Sequence, residues 1–185
     1  MKKRIMVLAA LVICLSIVAT GSLAYFTATG TARNVITSGN IDIELKEMAE
    51  LPDGTLAPFE NLEGVMPGED VSKIVSVVNT GESAAYVRLE VTKAIELEGA
   101  GEADPALLAL DLNTESWTEK DGYYYYNKPL APGAETEPLF TTVTFSEKMD
   151  NIYQSCTVVL TVQAHATQVA NNGTDPLAAA GWPAE

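Results

Sequence analysis

From residue 41 onward the apolar residues of this chain recur with a period of two. Residues 41–45 (IDIEL) alternate, 71–78 (VSKIVSVV) form a β-branched run, and 84–92 (AAYVRLEVT) place Val87, Leu89 and Val91 on one face with Arg88 and Glu90 on the other. Successive side chains of a strand point to opposite sides, so this is the signature of strands with one buried face. Asn79 and Gly81, between the last two runs, tolerate positive φ and predict a reversal there. The second half repeats the habit: 122–130, 137–146 and 153–169 are rich in aromatic and β-branched residues, the last long enough for two sheet segments or a bent strand. The pairs Pro67-Gly68 and Pro132-Gly133 each precede a strand, with proline fixing φ at one turn position and glycine accepting positive φ at the next, as a type II turn requires. One short helix is expected over 105–112, capped by Asp104 and opened by Pro105. Short strands, repeated turns and little helix predict an all-β fold, an antiparallel two-sheet sandwich.

The first forty residues follow a different pattern. Lys2, Lys3 and Arg4 precede an uninterrupted apolar run over 5–19, and Ser22-Leu23-Ala24 offers small residues where a signal peptidase inspects the chain. Cleavage between Ala24 and Tyr25 is the expectation; an uncleaved anchor is the alternative, because the apolar stretch approaches the ~20 residues of a spanning helix. Cys14 follows the bulky Ile13, which does not suit a lipoprotein processing site. The organisation expected is a signal peptide at 1–24, a leader at 25–40, a β-sandwich at 41–170 and a C-terminal tail at 171–185.

Composition narrows the function. The chain of 185 residues carries 25 acidic and 11 basic side chains, a net charge of −14, and loss of the three basic residues of the signal deepens it to −17. Phosphate binding needs a basic footprint, so nucleic acid is not an expected partner. Cleavage would leave Cys156 as the sole cysteine, expected as a small buried hydrophobe on a strand; export without disulfides points to a Gram-positive surface.

Candidate chemistry is sparse. His165 is the single histidine, too few for a paired-histidine zinc site, and alternation places Gln163, His165 and Thr167 together on a face expected to meet solvent. No catalytic residue set, metal site or cofactor is expected. The acid-rich stretches 60–63, 96–102 and 111–115 could offer oxygen ligands to calcium but lack EF-hand spacing and read better as solvated loops. Tyr123, Tyr124, Tyr125 and Tyr126 must alternate across a strand, two inward and two on the surface.

One segment stands out. Across 25–34 (YFTATGTARN), Phe26, Ala28, Gly30 and Ala32 fall on one face and Thr27, Thr29 and Thr31 on the other, with no charge before Arg33. Such a stretch suits a narrow groove beside another strand. It could lie there in a neighbouring molecule, or pair within its own domain as an ordinary edge strand.

The motifs then add a resemblance. A signal followed by AYFTATGTARNVITSGNIDIEL, then VMPGEDVSKIVSVVNTGESAAYVRLEV, then DGYYYYNKPLAPGAETEPLFTTVTF and VQAHATQVANN, resembles the secreted bacterial proteins related to TasA and camelysin, exported through a specialised signal peptidase of the SipW type. The resemblance implies a jelly-roll-like sandwich, processing at Ala24–Tyr25, and subunits that self-associate head to tail into matrix or surface fibres by donor-strand exchange. It places the donor on Tyr25, Phe26, Thr27, Ala28, Thr29, Gly30, Thr31 and Ala32. Partners implied are further copies of the chain, the signal peptidase and accessory matrix or anchor proteins. Two other readings stand beside it: a monomeric surface module binding a glycan, a protein or calcium, and, ranked last, a camelysin-like metalloprotease, for which the chain offers no recognisable zinc-ligand set.

Overall fold

The valine-rich run at 71–78 becomes β6 (Asp70–Asn79), the centre of one sheet in a two-sheet sandwich. The computed structural model describes residues 26–30, 34–37 and 41–183. In spatial order this sheet runs β4 (Leu56–Pro58), β3 (Ile43–Glu50), β6, β11 (Phe140–Phe145) and β8 (Leu108–Leu110), all antiparallel. The facing sheet runs β5 (Leu62–Val65), β1 (Phe26–Gly30), β12 (Thr157–Gln168), β7 (Ala85–Glu96), β10 (Tyr123–Tyr126) and β9 (Trp117–Lys120), and β2 (Asn34–Thr37) also pairs with β12. From β5 onward the chain crosses between the sheets at nearly every connection, a jelly-roll-like path. The expected all-β sandwich is what forms.

Alternation explains which side chains fill the space between the sheets. Val75, Val77, Val87, Leu89, Val162, Ala164 and Ala166 are completely or almost completely buried, joined by Leu45, Phe140 and Phe145. Burial at about 25 cal/mol per Å² of apolar surface makes this shared layer the main source of stability. The longest pairing, β12 with β7, extends from Thr157↔Glu96 to Gln168↔Ala85, so the run at 153–169 forms one continuous strand from Thr157.

The turns follow the sequence with one change of reason. Gly68 and Gly133 adopt φ of +84° and +73°, and the bonds Glu69 N→Met66 O and Ala134 N→Ala131 O close both Pro-Gly turns as expected. Gly81 serves space instead of φ: a Cβ there would stand 2.7 Å from the Asp42 amide, because the Thr80 and Gly81 amides both donate to Asp42 O. The helix expected over 105–112 contracts to a 3-10 turn at Pro105–Leu107. Asp104 caps it as anticipated, and the residues beyond join sheet pairing as β8, where Leu108 is buried and Val143 lies opposite Leu110. Tertiary pairing overrides local helix propensity here.

Candidate functional site

The leader threads into the sandwich between two strands of its own chain. β1 lies parallel to β12, with Thr27↔Thr157, Ala28↔Val158, Thr29↔Val159 and Gly30↔Leu160. On its other side it runs antiparallel to β5, with Phe26↔Val65 and Ala28↔Leu62. β2 continues along β12, from Asn34↔Gln163 to Thr37↔Ala166. Of the two placements open to the sequence, this chain adopts pairing within its own domain. It is not an edge strand, however, because β1 is flanked on both sides. The expected cleavage pair Ala24 and Tyr25, together with Thr31 and Ala32, lies outside the described residues, as does the rest of the expected signal at 1–24.

The strand beneath the leader explains the fit. β12 turns Val158, Leu160, Val162, Ala164 and Ala166 toward the facing sheet, and all five are buried. Its other edge is fully used by β7, so without the leader the backbone groups of 157–160 and 163–166 would have no strand beside them. Ala28 and Gly30 stand at register positions beside Val158 and Leu160, whereas Val35 and Thr37 stand beside Ala164 and Ala166. The leader takes four steps from Gly30 to Asn34 where β12 takes three from Leu160 to Gln163. That surplus residue exchanges the even-numbered for the odd-numbered positions, since a one-residue slip reverses the faces of a strand. The register of β2 therefore does not continue that of β1.

The tyrosine strand and His165 occupy a second, polar-aromatic surface, and here the sequence reading needs correction. Tyr124 and Tyr126 pack toward the core and Tyr123 and Tyr125 point the other way, as alternation requires, yet Tyr125 is buried too. His165, expected in solvent, is 0% exposed. The cause is the tail: residues 169–183 fold back across the outside of β7, β10 and β12. Tyr86 Oη donates to Gly173 O at 2.8 Å, Thr167 Oγ1 donates to Ala180 O at 2.9 Å, and Lys120 Nζ donates to Leu177 O at 3.0 Å. Arg88 is sandwiched between aromatic rings, its guanidinium carbon 3.7 Å from the Tyr123 centroid and 4.7 Å from that of Trp182. It also donates to Tyr125 Oη at 3.2 Å. His165, opposite Arg88 in register, meets the Tyr123 ring edge to face at 5.7 Å. A histidine boxed against a cation and an aromatic ring is badly placed to ligate a metal. Sequence reasoning missed this strap, and its signal was Trp182, a large aromatic in an otherwise small-residue tail.

Other candidates resolve simply. Cys156 is buried immediately before β12, and burial pushes its thiol up to about 11, so it behaves as a small core residue. Asp111, in one of the acid-rich stretches, accepts from the amides of Thr141 and Thr142 at 2.8 and 2.7 Å and from the Thr141 hydroxyl, tying the loop after β8 to β11. Among the described residues no group of three or more His, Cys, Asp or Glu side chains is arranged to hold a metal ion. No helix among them is long and apolar enough to cross a membrane.

Comparison of the chain with protein-family models, with curated proteins and with solved structures finds no match.

Proposed function

We propose that this protein is a secreted, non-enzymatic structural subunit that polymerises by strand exchange, the leader of one copy entering the slot between β5 and β12 of the next. The observation that supports this reading is the placement of an N-terminal, separately connected strand in the interior of a sheet, against a partner whose edge has no other occupant. The same contacts are available in cis and in trans, so exchange conserves nearly all the bonding and is decided by concentration and by the link between leader and sandwich. That link contains Gly39 in the sequence Ser38-Gly39-Asn40. A copy whose slot is filled by another and whose own leader is donated onward forms a head-to-tail contact that does not close on itself. The resemblance to the TasA and camelysin group leads to the same assembly, with export through its signal peptidase and a matrix or cell-surface destination.

Pairing in cis is also what a monomeric binding module would show. A cysteine trap separates the two. Thr29 and Val159 are register partners, so Thr29→Cys/Val159→Cys in a Cys156→Ala background is expected to form an intramolecular bond in dilute protein and a covalent ladder after assembly at high concentration. Intramolecular bonds alone at every concentration would overturn the polymer reading and leave the monomeric module.

A further inference from the structure

The interior of the sandwich contains an ion pair that the strand-exchange reading does not use. Lys73 on β6 is 2% exposed and shares a face with Val71 and Val75; Glu47 on β3 shares a face with Ile43 and Leu45. Glu47 stands opposite Val75 in register, which makes it the diagonal neighbour of Lys73 on the adjacent antiparallel strand. Lys73 Nζ lies 2.8 Å from Glu47 Oε1 and 3.8 Å from the centroid of the Phe59 ring. Both atoms are buried, and neither has a hydrogen-bond partner: they are in contact without the angles of a hydrogen bond. The surface pair Lys46–Glu135 contrasts with it, hydrogen-bonded at 2.9 Å with both side chains substantially exposed.

Charges held in this way are unfavourable, because neither ion recovers in the pair the hydration it gave up. Burial pushes the Lys73 ammonium down, and the Glu47 carboxylate offsets part of that. Proton transfer across the contact yields a neutral amine beside a neutral carboxyl, with both contacting atoms buried and the Phe59 ring over the amine. Those are the reactants of amide condensation, held at contact distance by the backbone register, which supplies the proximity such a step needs.

We propose that Lys73 and Glu47 condense into an intramolecular isopeptide bond that cross-links β6 to β3. Lys73 Nζ passes one proton to the Glu47 carboxylate and its lone pair attacks Cδ, forming the N–C bond. The tetrahedral adduct passes a second proton from nitrogen to one Glu47 oxygen, the C–O bond breaks, and one water leaves. Nothing is oxidised or reduced. The product removes both buried charges and closes 47–73 into a covalent ring that carries β4, Phe59 and β5, so the β5 wall of the leader slot becomes tied to the middle of the opposite sheet. This inference stands independently of fibre formation.

Intact-mass measurement and peptide mapping of the folded mature chain test it. The expected mass is one water below that of the sequence, with a branched peptide joining Lys73 and Glu47 that trypsin does not cut at Lys73. Lys73→Met is expected to restore the full mass. Lys73→Met/Glu47→Leu removes both charges together and serves as the folding control, whereas Glu47→Gln is expected to reach the same amide with loss of ammonia. Full sequence mass after prolonged incubation of the folded protein, with both residues in separate linear peptides, overturns the proposal, as does a water loss that maps elsewhere.

Discussion

Removing the leader is the perturbation with the largest calculable effect. A chain beginning at residue 38 leaves eight β12 positions, 157–160 and 163–166, without a strand beside them, and strips β5 of its inner neighbour. At roughly one backbone hydrogen bond per paired position and ~0.5–1 kcal/mol net for each, the loss is about 4–8 kcal/mol before any core exposure is counted. A domain of this size has only about 5–15 kcal/mol in total, so the truncated protein is expected to melt at least ~10 °C lower or to populate unfolded states at ambient temperature. A synthetic peptide of residues 25–37 supplied in excess is expected to bind and restore the melt, raising the midpoint with peptide concentration as mass action requires. Circular dichroism melts and isothermal titration measure both halves. A truncated domain that melts with the full chain, and to which the peptide does not bind, would refute the claim that the slot depends on its occupant.

Three further outcomes follow from contacts elsewhere. Gly81→Ala places a methyl 2.7 Å from the Asp42 amide and is expected to cost ~1–3 kcal/mol in urea unfolding, with the φ of the site playing no part. Trp182→Ala removes one face of the Arg88 sandwich and its contact with Tyr125; a loss of ~1–3 kcal/mol is expected, with faster hydrogen exchange confined to 169–183. Asp111 lies below the usual carboxylate range: burial alone would raise it, but the Thr141 hydroxyl and the Thr142 and Thr141 amides outweigh burial. A depressed folded-state value gives stability that is present above the ordinary value of 3.8 and disappears as pH falls through the lower one. Asp111→Asn is therefore expected to be less stable than the parent at neutral pH and to converge with it in strong acid, as followed by chemical denaturation at a series of pH values.

The sandwich was legible because its strands are amphipathic on a two-residue period. Val87, Leu89 and Val91 announced one face of β7, and the two Pro-Gly pairs announced their turns. The short partners β4, β8 and β9 carried no comparable signal, since three or four residues hold too few alternations to read. Helix propensity misled at 105–112 for the same reason: what decides the fate of Leu108 is a place opposite Phe145, not its neighbours in sequence. The leader's composition marked it as a strand suited to a groove, but nothing local reveals that its partners are 34 to 130 residues away, parallel on one side and antiparallel on the other. His165 was read from its own strand alone, and burial came from a tail that only the folded chain brings across it.

The two pairings of β1 give its slot a polarity: one wall takes the strand in parallel, the other antiparallel. A ribbon entering the other way round would reverse both relations at once and meet the slanted bonds of a parallel ladder where the perpendicular bonds of an antiparallel one belong. Any molecule that inserts this segment as it is seated here, its own or a neighbour's, must therefore point in a single direction. Assemblies built on that insertion would be polar, with two unlike ends.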